Sequence, residues 1–348
     1  MATADHDPDA APLADAGLFG LPTTPAEARL VIIPVPWDAT TSYRAGTAKG
    51  PAAIRLASHQ LDLYDADLGE PWRAGIAMLD LPADIEELNT TARADAERII
   101  EVGGRIGDDP GLAAALARVN AASERLNQHV FDEVDRWRRA GKLVGVLGGD
   151  HSVPFGALSR LAQDHAAFGV LHVDAHADLR DAYEGFQWSH ASIMNNVLAR
   201  IPQVTRLVQV GIRDFAKAEA DLAAASAPRV AMFTDAALAD RAFAGESWAT
   251  TCAQIVSELP AEVYISFDID GLDPTLCPST GTPVPGGLSF QQAAFLIKQV
   301  VLAGKRIIGF DLNEVAPGSD SPEGDEWDAN VGARVLYKLC GWMLRSAS

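Results

Sequence analysis

The sequence predicts an α/β protein built on one parallel sheet. Short apolar segments rich in β-branched residues recur eight times along the 348 residues, and Ala-rich segments with apolar residues at helical spacing lie between them. Regular alternation of strand and helix over this length is typical of a parallel sheet whose two faces are covered by helices. The sequence contains neither an internal repeat nor a Ser/Gly-rich linker, which favours a single domain.

The predicted strands can be placed along the whole chain. In order they are RLVIIPVP from residue 29, GIAMLDL from 75, KLVGVL from 142, FGVLHV from 168, RLVQVGI from 206, RVAMF from 229, EVYISFDID from 262 and RIIGFDL from 306. The clearest helical segments span 92–106, 112–141, 290–304 and 329–344. A (β/α)8 barrel also has eight parallel strands, so the strand count alone leaves an open sheet and a barrel as alternatives.

The N-terminal segment differs in composition from the rest. Residues 1–28 are rich in Ala, Asp and Pro without an apolar period, and we predict a flexible acidic tail followed by one folded domain over 29–348. The N-terminus lacks the basic and apolar regions of a signal peptide, and no apolar run is long enough to span a bilayer. The three cysteines offer neither a disulfide framework nor a zinc spacing. We therefore expect a cytoplasmic protein.

The charge balance restricts the possible partners. The chain has 47 Asp and Glu against 28 Lys and Arg, a formal net charge of −19. Such a charge disfavours binding to nucleic acid or to an anionic membrane, because both would repel the protein. A small cationic or neutral substrate fits this charge better.

Acidic and histidine residues collect at three predicted strand ends. In LHVDAHADLR, residues 171–180, the candidates alternate along the chain, so an extended backbone would point them to one side. The strand ending at 270 has the same alternation, and GGDHS at 148–152 contains glycines that would allow a tight turn. The candidate ligands are His151, Asp174, His176, Asp178, Asp268 and Asp270.

Four carboxylates in one buried cluster repel each other, and bound cations are the usual means of holding them together. Six ligands of which two are shared suit two divalent ions roughly 3.5 to 4 Å apart. Imidazole combined with carboxylate oxygen favours Mn²⁺ first and Ni²⁺ next, although Co²⁺, Fe²⁺ and Zn²⁺ also accept such ligands. His172 lies deeper in its strand, and we interpret it as a hydrogen-bonded core residue. Asp150 beside His151 is expected to orient a ligand rather than to bind metal.

Several separate motifs resemble those of the ureohydrolase family, which includes arginases and agmatinases. GGDHS at 148–152, VDAHADLR at 173–180 and SFDIDGLDPTLCPSTGTPVPGGLS at 266–289 resemble its three metal-ligand motifs. GFDLNEVAP at 309–317 resembles its substrate-binding strand end, and SYRAGTAKGPAAIRLAS at 42–58 resembles the agmatinase-type N-terminal segment. The resemblance extends from about residue 29 to the C-terminus. It implies a single three-layer α/β/α domain with an eight-stranded parallel sheet, rather than a barrel.

The resemblance also implies an arrangement of the ligands. One ion would be bound by His151 and Asp178 and the other by His176 and Asp270, with Asp174 and Asp268 bridging the two. This is the same set of six residues that the strand ends indicate.

Further site residues follow only from the resemblance. Glu314 falls where the family binds the guanidinium group, and a carboxylate suits that planar cation. Asp178 would pass a proton to the leaving amine, and His190 would exchange protons with solvent. Thr282 lies on a loop that borders the pocket in the family. Trp188, two residues before His190, is predicted to contact the substrate because aromatic faces attract cations.

The function implied is that of a binuclear-metal amidinohydrolase that releases urea, with ammonia or an amine, from a small guanidino compound. The loop at 181–190 is rich in aromatic residues and poor in donors for an α-carboxylate, which favours guanidine, an N-alkyl guanidine or agmatine over arginine. Two alternatives are a metal-binding helper subunit of a hetero-oligomer and a zinc deacetylase, which needs only one metal. The complete set of ligands favours the hydrolase.

Two segments depart from the family pattern, and the quaternary structure follows only from the resemblance. Residues 84–140 and 318–330 look longer than in simple agmatinases and are interpreted as surface elaborations or subunit contacts. The resemblance implies a homo-oligomer, a trimer or a hexamer, possibly with a related subunit.

Overall fold

A computed structural model describes residues 7–10, 16–318 and 326–347. Within these ranges the chain forms one eight-stranded sheet and ten α-helices. The strands are β1 Leu30–Val35, β2 Ile76–Met78, β3 Leu143–Gly148, β4 Phe168–Val173, β5 Val204–Ile212, β6 Val230–Thr234, β7 Glu262–Asp268 and β8 Arg306–Asn313. The helices are α1 Gly50–Ala57, α2 Ala83–Ile100, α3 Pro110–Arg139, α4 Phe155–Asp164, α5 Ile193–Arg200, α6 Lys217–Ala225, α7 Asp235–Phe243, α8 Trp248–Ser257, α9 Phe290–Leu302 and α10 Trp327–Ser346.

The sheet is parallel throughout and open. Its order is β2-β1-β3-β8-β7-β4-β5-β6, so β2 and β6 form the two edges. The predicted α/β class and all eight predicted strands are confirmed, and the barrel is excluded because the edges do not meet. The strands β3, β8, β7 and β4 lie side by side in the centre of the sheet although they are distant in sequence.

Alternate residues of each strand enter different layers of the core. Leu171 and Val173 pack with helices α1 and α7–α10, whereas Val170, the residue before Leu171, packs with α4–α6 on the opposite face. The same face continues over β1 and β3 to α2 and α3. Burial on both faces explains why the strands read as continuous apolar runs instead of alternating with polar residues.

Part of the predicted N-terminal tail is packed against the domain. Leu18, Phe19 and Leu21 are at most 2% exposed and belong to the core cluster beneath α10. The N–H of Phe19 donates to Ser58 Oγ at 2.8 Å, and its ring meets Tyr337 edge to face. The tail prediction is therefore corrected for residues 16–28, because three large apolar side chains in four positions outweigh the polar composition around them. Residues 1–6 and 11–15 lie outside the described part of the chain.

The segment 84–140, which looks longer than in simple agmatinases, forms two long helices. We call α2 and α3 together, residues 83–139, the helical hairpin. Helix α3 begins at Pro110, and the Asp109 side chain caps it by accepting the N–H groups of Gly111 and Leu112 at 2.7 and 3.1 Å. The hairpin covers one face of the sheet over β1 and β3.

The second longer segment, 318–330, is described only in part, since residues 319–325 lie outside the described ranges. After this gap, Trp327 Nε1 donates to the carbonyl of Thr275 at 2.9 Å, and Asp328 accepts the N–H of Ser279 at 2.8 Å. The start of α10 is thus bound to the loop that follows β7. Within the described ranges, none of the helices combines the length and the apolar character needed to cross a membrane.

Candidate metal centre

All six predicted ligands lie together at the carboxyl ends of the central strands β3, β4 and β7. Because parallel strands end at the same edge of the sheet, residues far apart in sequence meet there. Five of the six are less than 5% exposed, and the side chain of His176 is 24% exposed. Strand β8, between β3 and β7, brings Glu314 to the same edge.

His151 is the centre of the first group of ligands. Its Nδ1 lies 2.9 Å from Asp174 Oδ2, 3.2 Å from Asp268 Oδ2 and 3.4 Å from Asp178 Oδ2. Its Nε2 lies 2.8 Å from Ser266 Oγ, whose hydroxyl donates to a neighbouring carboxylate on β8. Nε2 therefore donates its proton to Ser266 Oγ, and Nδ1 faces three carboxylates. Such an arrangement favours a cation between them.

A second group lies beside the first. His176 Nδ1 is 3.1 Å from Asp270 Oδ2 and 3.5 Å from Asp174 Oδ1. The two oxygens of Asp174 thus face different groups, since Oδ2 contacts His151. This is the geometry expected of a bridging carboxylate. Asp268, the other predicted bridge, has a contact with His151, and its Oδ1 accepts the N–H of Asp270 at 2.8 Å.

The electrostatics of the cluster also favour added positive charge. Burial, and then the charge of Asp174, raise the pKa of Asp178 well above its usual value. Burial, and then the charges of Asp270 and Asp174, have the same effect on the pKa of Asp268. Burial alone would lower the pKa of His151, but its hydrogen bonds to Asp174 and Asp268 raise it well above the usual value.

His172 lies within reach of the first group, yet both of its ring nitrogens already have partners. Gln209 Nε2 donates to Nδ1 at 3.0 Å, so that Nε2 carries the proton and donates to Asp174 Oδ2 at 2.8 Å. Burial lowers the pKa of His172 and keeps the ring neutral. These contacts agree with the interpretation of His172 as a hydrogen-bonded core residue, and its bond to Asp174 Oδ2 helps to hold that carboxylate in place.

The glycines of GGDHS act through close packing rather than through an unusual backbone conformation, since neither has a positive φ. A Cβ on Gly149 would lie 2.0 Å from the carbonyl oxygen of Trp37, and one on Gly148 would lie 2.1 Å from Asn313 Oδ1. Asp150 accepts both the N–H and the hydroxyl of Ser152, at 3.0 and 2.5 Å, which fixes the turn after His151.

Gly149→Ala is expected to destabilise the protein, because the added methyl group meets backbone atoms of Trp37 that cannot move independently of β1. The expected loss in the free energy of unfolding is about 3 kcal/mol, the upper end of the usual cost of overpacking. Denaturant unfolding measures this loss. Gly111→Ala, in the exposed first turn of α3, is the control, because the closest contact of its added methyl group is the Asp109 side chain at 3.1 Å, and it should lower stability much less than Gly149→Ala. Equal stability of the two variants would contradict the packing role of Gly149.

Two of the predicted site residues have a left-handed backbone. The φ of Asp178 is +55° and that of Glu314 is +63°, conformations that are uncommon for residues other than glycine. The carbonyl of Asp178 accepts two N–H groups at the start of α5, and the carbonyl of Glu314 accepts the Thr280 hydroxyl at 2.8 Å. The surrounding hydrogen bonds hold this strain at the site.

Glu314 adjoins the first group of ligands. Its Oε1 accepts the N–H of His151 at 2.9 Å, and its own N–H donates to the carbonyl of Gly149 at 2.8 Å. The residue is 6% exposed and does not line the cavity that opens onto His176 and Asp178. Its carboxylate therefore lies beside the cluster.

A cavity of about 160 Å³ opens onto the cluster at His176 and Asp178. The other residues that line it are Ser42, Arg180, Tyr183, His190, Ala191, Asp214, Glu219 and Thr282. His190 and Thr282 thus lie where the resemblance implies, at the wall of a pocket. Burial lowers the pKa of His190 to about 4, so that the ring is neutral near pH 7 and can accept a proton.

Trp188, predicted to contact the substrate, does not lie in this cavity. It is 8% exposed and packs on Phe155 of α4 at a ring separation of 4.7 Å, and the Arg200 guanidinium lies 4.7 Å from the centre of its ring. It lines a different groove between α3 and α4. The prediction for Trp188 is corrected, because the chain between Phe186 and His190 turns this side chain towards the helices. Tyr183 is the aromatic residue that reaches the cavity.

Several supporting residues were missed in the sequence. Beneath His151, Ser266 Oγ donates to Asp311 Oδ1 at 3.0 Å, and Asn313 Nδ2 donates to the same oxygen. A pattern in the sequence could have revealed them. Ser266 lies two residues before Asp268 in β7, and Asp311 lies two residues before Asn313 in β8, both in otherwise apolar strands. Polar residues at that spacing point to one face, and burial requires that they be hydrogen-bonded.

Comparison with known proteins identifies the family. The family model described as the arginase family matches residues 28–341. An N(1)-aminopropylagmatine ureohydrolase from Thermus thermophilus is 36% identical over 325 residues, which cover 93% of this chain and 94% of the relative. A guanidinobutyrase from Pseudomonas aeruginosa is 29% identical over 313 residues, which cover 88% of this chain and 83% of the relative.

Solved structures give the same result. The crystal structure of a hypothetical agmatinase from Burkholderia thailandensis has a TM-score of 0.69 and 25% identity, covering 98% of this chain and 93% of that one. The match over nearly the whole chain agrees with the open parallel sheet and with the cluster of histidine and aspartate at its carboxyl edge. The protein belongs to the arginase family and is a ureohydrolase, a hydrolase that acts on C–N bonds of linear amidines.

Proposed function

We propose that the protein is a binuclear-metal amidinohydrolase that converts a small guanidino compound into urea and ammonia or an amine. The substrates proposed are guanidine, an N-alkyl guanidine or agmatine. The observation that carries the proposal is the small cavity of about 160 Å³ that opens directly onto His176 and Asp178. These two residues belong to different groups of ligands, and Asp174 connects the groups.

The donor set fits a pair of divalent ions. The first ion would be held by His151 and Asp178 and the second by His176 and Asp270, with Asp174 and Asp268 shared. Each position then combines one imidazole with carboxylate oxygens, a set that favours Mn²⁺ first and Ni²⁺ next. Nδ1 of His151, which faces three carboxylates, supports a cation at the first position.

When bound, two divalent ions supply the Lewis acidity that activates water for attack on the guanidinium carbon. Glu314 would hold the guanidinium by charge-assisted hydrogen bonds, since its carboxylate adjoins the cluster through the N–H of His151. Asp178 lies both in the cluster and in the cavity wall, where it can pass a proton to the leaving amine. His190, neutral and half-buried in the same wall, can exchange that proton with solvent.

The cavity wall supports a substrate without an α-carboxylate. Arg180 is a cation in this wall, but its Nε lies 3.6 Å from the buried carboxylate of Glu219 and its guanidinium stacks on the Tyr183 ring at 4.9 Å. A carboxylate on the substrate would have to compete with Glu219 for Arg180. Asp214 and Glu219 also add negative charge to the wall, which favours amines and neutral groups.

The names of the relatives agree with a guanidino substrate but differ in the part of the molecule that lies beyond the guanidinium group. The Thermus relative is named for aminopropylagmatine and the Pseudomonas relative for guanidinobutyrate. The helper-subunit alternative has no support from these comparisons, and the complete ligand set with Glu314 and His190 favours catalysis by this chain.

Urea release by the purified, metal-loaded protein tests the proposal. The panel is guanidine, dimethylguanidine, agmatine, 4-guanidinobutyrate and arginine, each with Mn²⁺ and with Ni²⁺. We expect kcat/KM to be highest among the first three compounds and lowest for arginine, because the carboxylates of the last two meet the paired Arg180. Metal analysis should find about two ions per chain.

Two results would overturn the proposal. A kcat/KM for arginine above that for the other four compounds would reject the substrate class. A single tightly bound ion per active chain would reject the binuclear centre.

A further inference from the structure

Two loops form the outer part of the cavity. The first loop, residues 38–49, contributes Ser42, and the second loop, residues 181–190, contributes Tyr183 and His190. They come from distant parts of the sequence, and each is bonded to the helical hairpin. The hairpin contributes no residue to the cavity wall itself.

Helix α2 holds the first loop through two side chains. Asn89 Oδ1 accepts the N–H of Asp38 at 2.8 Å, and Asn89 Nδ2 donates to Asp38 Oδ1 at 3.0 Å. Arg93, whose side chain is 19% exposed, donates from Nη1 to the carbonyl of Thr41. Thr41 is the residue before Ser42, so this contact fixes the backbone at the cavity wall.

Helix α3 holds the second loop. Asn120 Oδ1 accepts the N–H of Gln187 at 2.9 Å. The Phe186 ring is fully buried in an apolar cluster formed by both helices of the hairpin, whose members include Ala96, Ile99, Ala115 and Val119. The second loop is thus bonded and packed against the hairpin on the side opposite the cavity.

A tight turn connects Phe186, which is buried in the hairpin, to Tyr183 in the cavity wall. The N–H groups of Tyr183 and Phe186 each donate to the carbonyl of the other residue, at 3.2 and 2.8 Å. Between them Glu184 and Gly185 have φ values of +52° and +88°, as in the two-residue turns that join antiparallel strands. Burial of Phe186 on one side therefore fixes Tyr183 on the other, where its ring meets His190 edge to face at 6.3 Å.

We propose that the helical hairpin is a positioning element that fixes both loops and thereby sets the affinity for the part of the substrate beyond the guanidinium group. Asn120 and Arg93 are the positioning residues, one for each loop. The claim that the hairpin sets substrate affinity rests on the proposed function, whereas the claim that it holds the two loops in place does not.

Hydrogen exchange followed by mass spectrometry tests the order of the loops in the full-length, metal-loaded protein. Asn120→Ala should lower the protection of the second loop roughly 10-fold and leave the first loop unchanged. Arg93→Ala should lower the protection of the first loop by a similar factor and affect the second loop less, through the charge of Glu184 alone. Asn120→Asp keeps the acceptor for the Gln187 N–H and should restore protection. The matched controls are Gln128→Ala, whose amide bonds Asp132 within α3, and Arg98→Ala, which pairs with Asp95 within α2.

Steady-state kinetics test whether the order of the loops sets the affinity for the substrate. With agmatine, Asn120→Ala should raise KM roughly 2- to 10-fold with kcat and metal content near those of the parent, because one hydrogen bond that orders the wall is lost. Guanidine has no group beyond the guanidinium, so its KM should change less. Asn120→Asp should restore the KM for agmatine.

The possible failures are distinguishable. If no guanidino compound is hydrolysed by the parent protein, the proposed function fails, and the exchange result still decides whether the hairpin orders the loops. Unchanged exchange in Asn120→Ala and Arg93→Ala would overturn the positioning role. Loss of protection spread equally over the strands of the sheet would overturn it too, since that indicates general destabilisation.

Discussion

Asp174→Asn is expected to abolish urea release and to reduce bound metal from about two ions per chain to one or none. Asp174 is 0% exposed and directs one oxygen to each group of ligands, Oδ2 to His151 and Oδ1 to His176. Asparagine keeps the shape but removes the negative charge and one of the two oxygens. Loss of a residue that only orients a metal ligand typically costs 10- to 100-fold in affinity or activity, so removal of a shared ligand should exceed about 100-fold.

Metal analysis combined with a urea assay measures this effect. Asp181→Asn, in an exposed position of the second loop, provides the matched control and should keep both metal and activity. If Asp174→Asn bound two ions and hydrolysed guanidino compounds at the parent rate, the assignment of a shared carboxylate would be rejected.

Glu314→Gln is expected to separate metal binding from turnover. Glutamine can still accept the N–H of His151, so the ligand cluster should keep its geometry and its metal content. The guanidinium, however, loses its charged partner. Removing one member of a buried charge pair costs about 3–5 kcal/mol, which corresponds to a roughly 100- to 5,000-fold loss in kcat/KM.

Metal content and kcat/KM, measured together, test this prediction. Metal content should match that of the control Glu87→Gln, an exposed position on α2, while kcat/KM falls by the stated factor. Loss of metal in Glu314→Gln would place Glu314 among the ligands instead. Retention of full activity would show that the guanidinium is bound elsewhere.

The sheet and the metal cluster were predictable because both depend on short-range patterns. Apolar runs mark buried strands, and the alternation of Asp174, His176 and Asp178 directly after one of them marks a strand end at which side chains share a side. The order of the strands within the sheet could not be predicted in this way. That β8 lies between β3 and β7 follows from packing across the whole chain, and no local pattern reveals it.

The residues whose structure differs from the sequence prediction are those whose positions depend on contacts with distant parts of the chain. Trp188 lies in a loop whose direction is set when Phe186 enters the core of the helical hairpin. Leu18 and Phe19 are buried by α10, which is hundreds of residues away in sequence, and by the segment around Ser58, which is tens of residues away. In both places the local sequence permits several conformations, and tertiary packing selects one.

The position of β8 has a consequence for how the protein is made. Without this strand the sheet order leaves two separate pieces, β2-β1-β3 and β7-β4-β5-β6, with His151 on the first and the other five candidate ligands on the second. During synthesis from the N-terminus, β8 is the last strand to leave the ribosome. Before β8 is added, the final strand order allows at most two half-sheets with unpaired inner edges, and His151 reaches the other five ligands only when β8 joins them. The first group of ligands, which needs His151, is therefore completed only after β8 has joined the sheet, whereas Asp174, His176 and Asp270 of the second group already share one half-sheet.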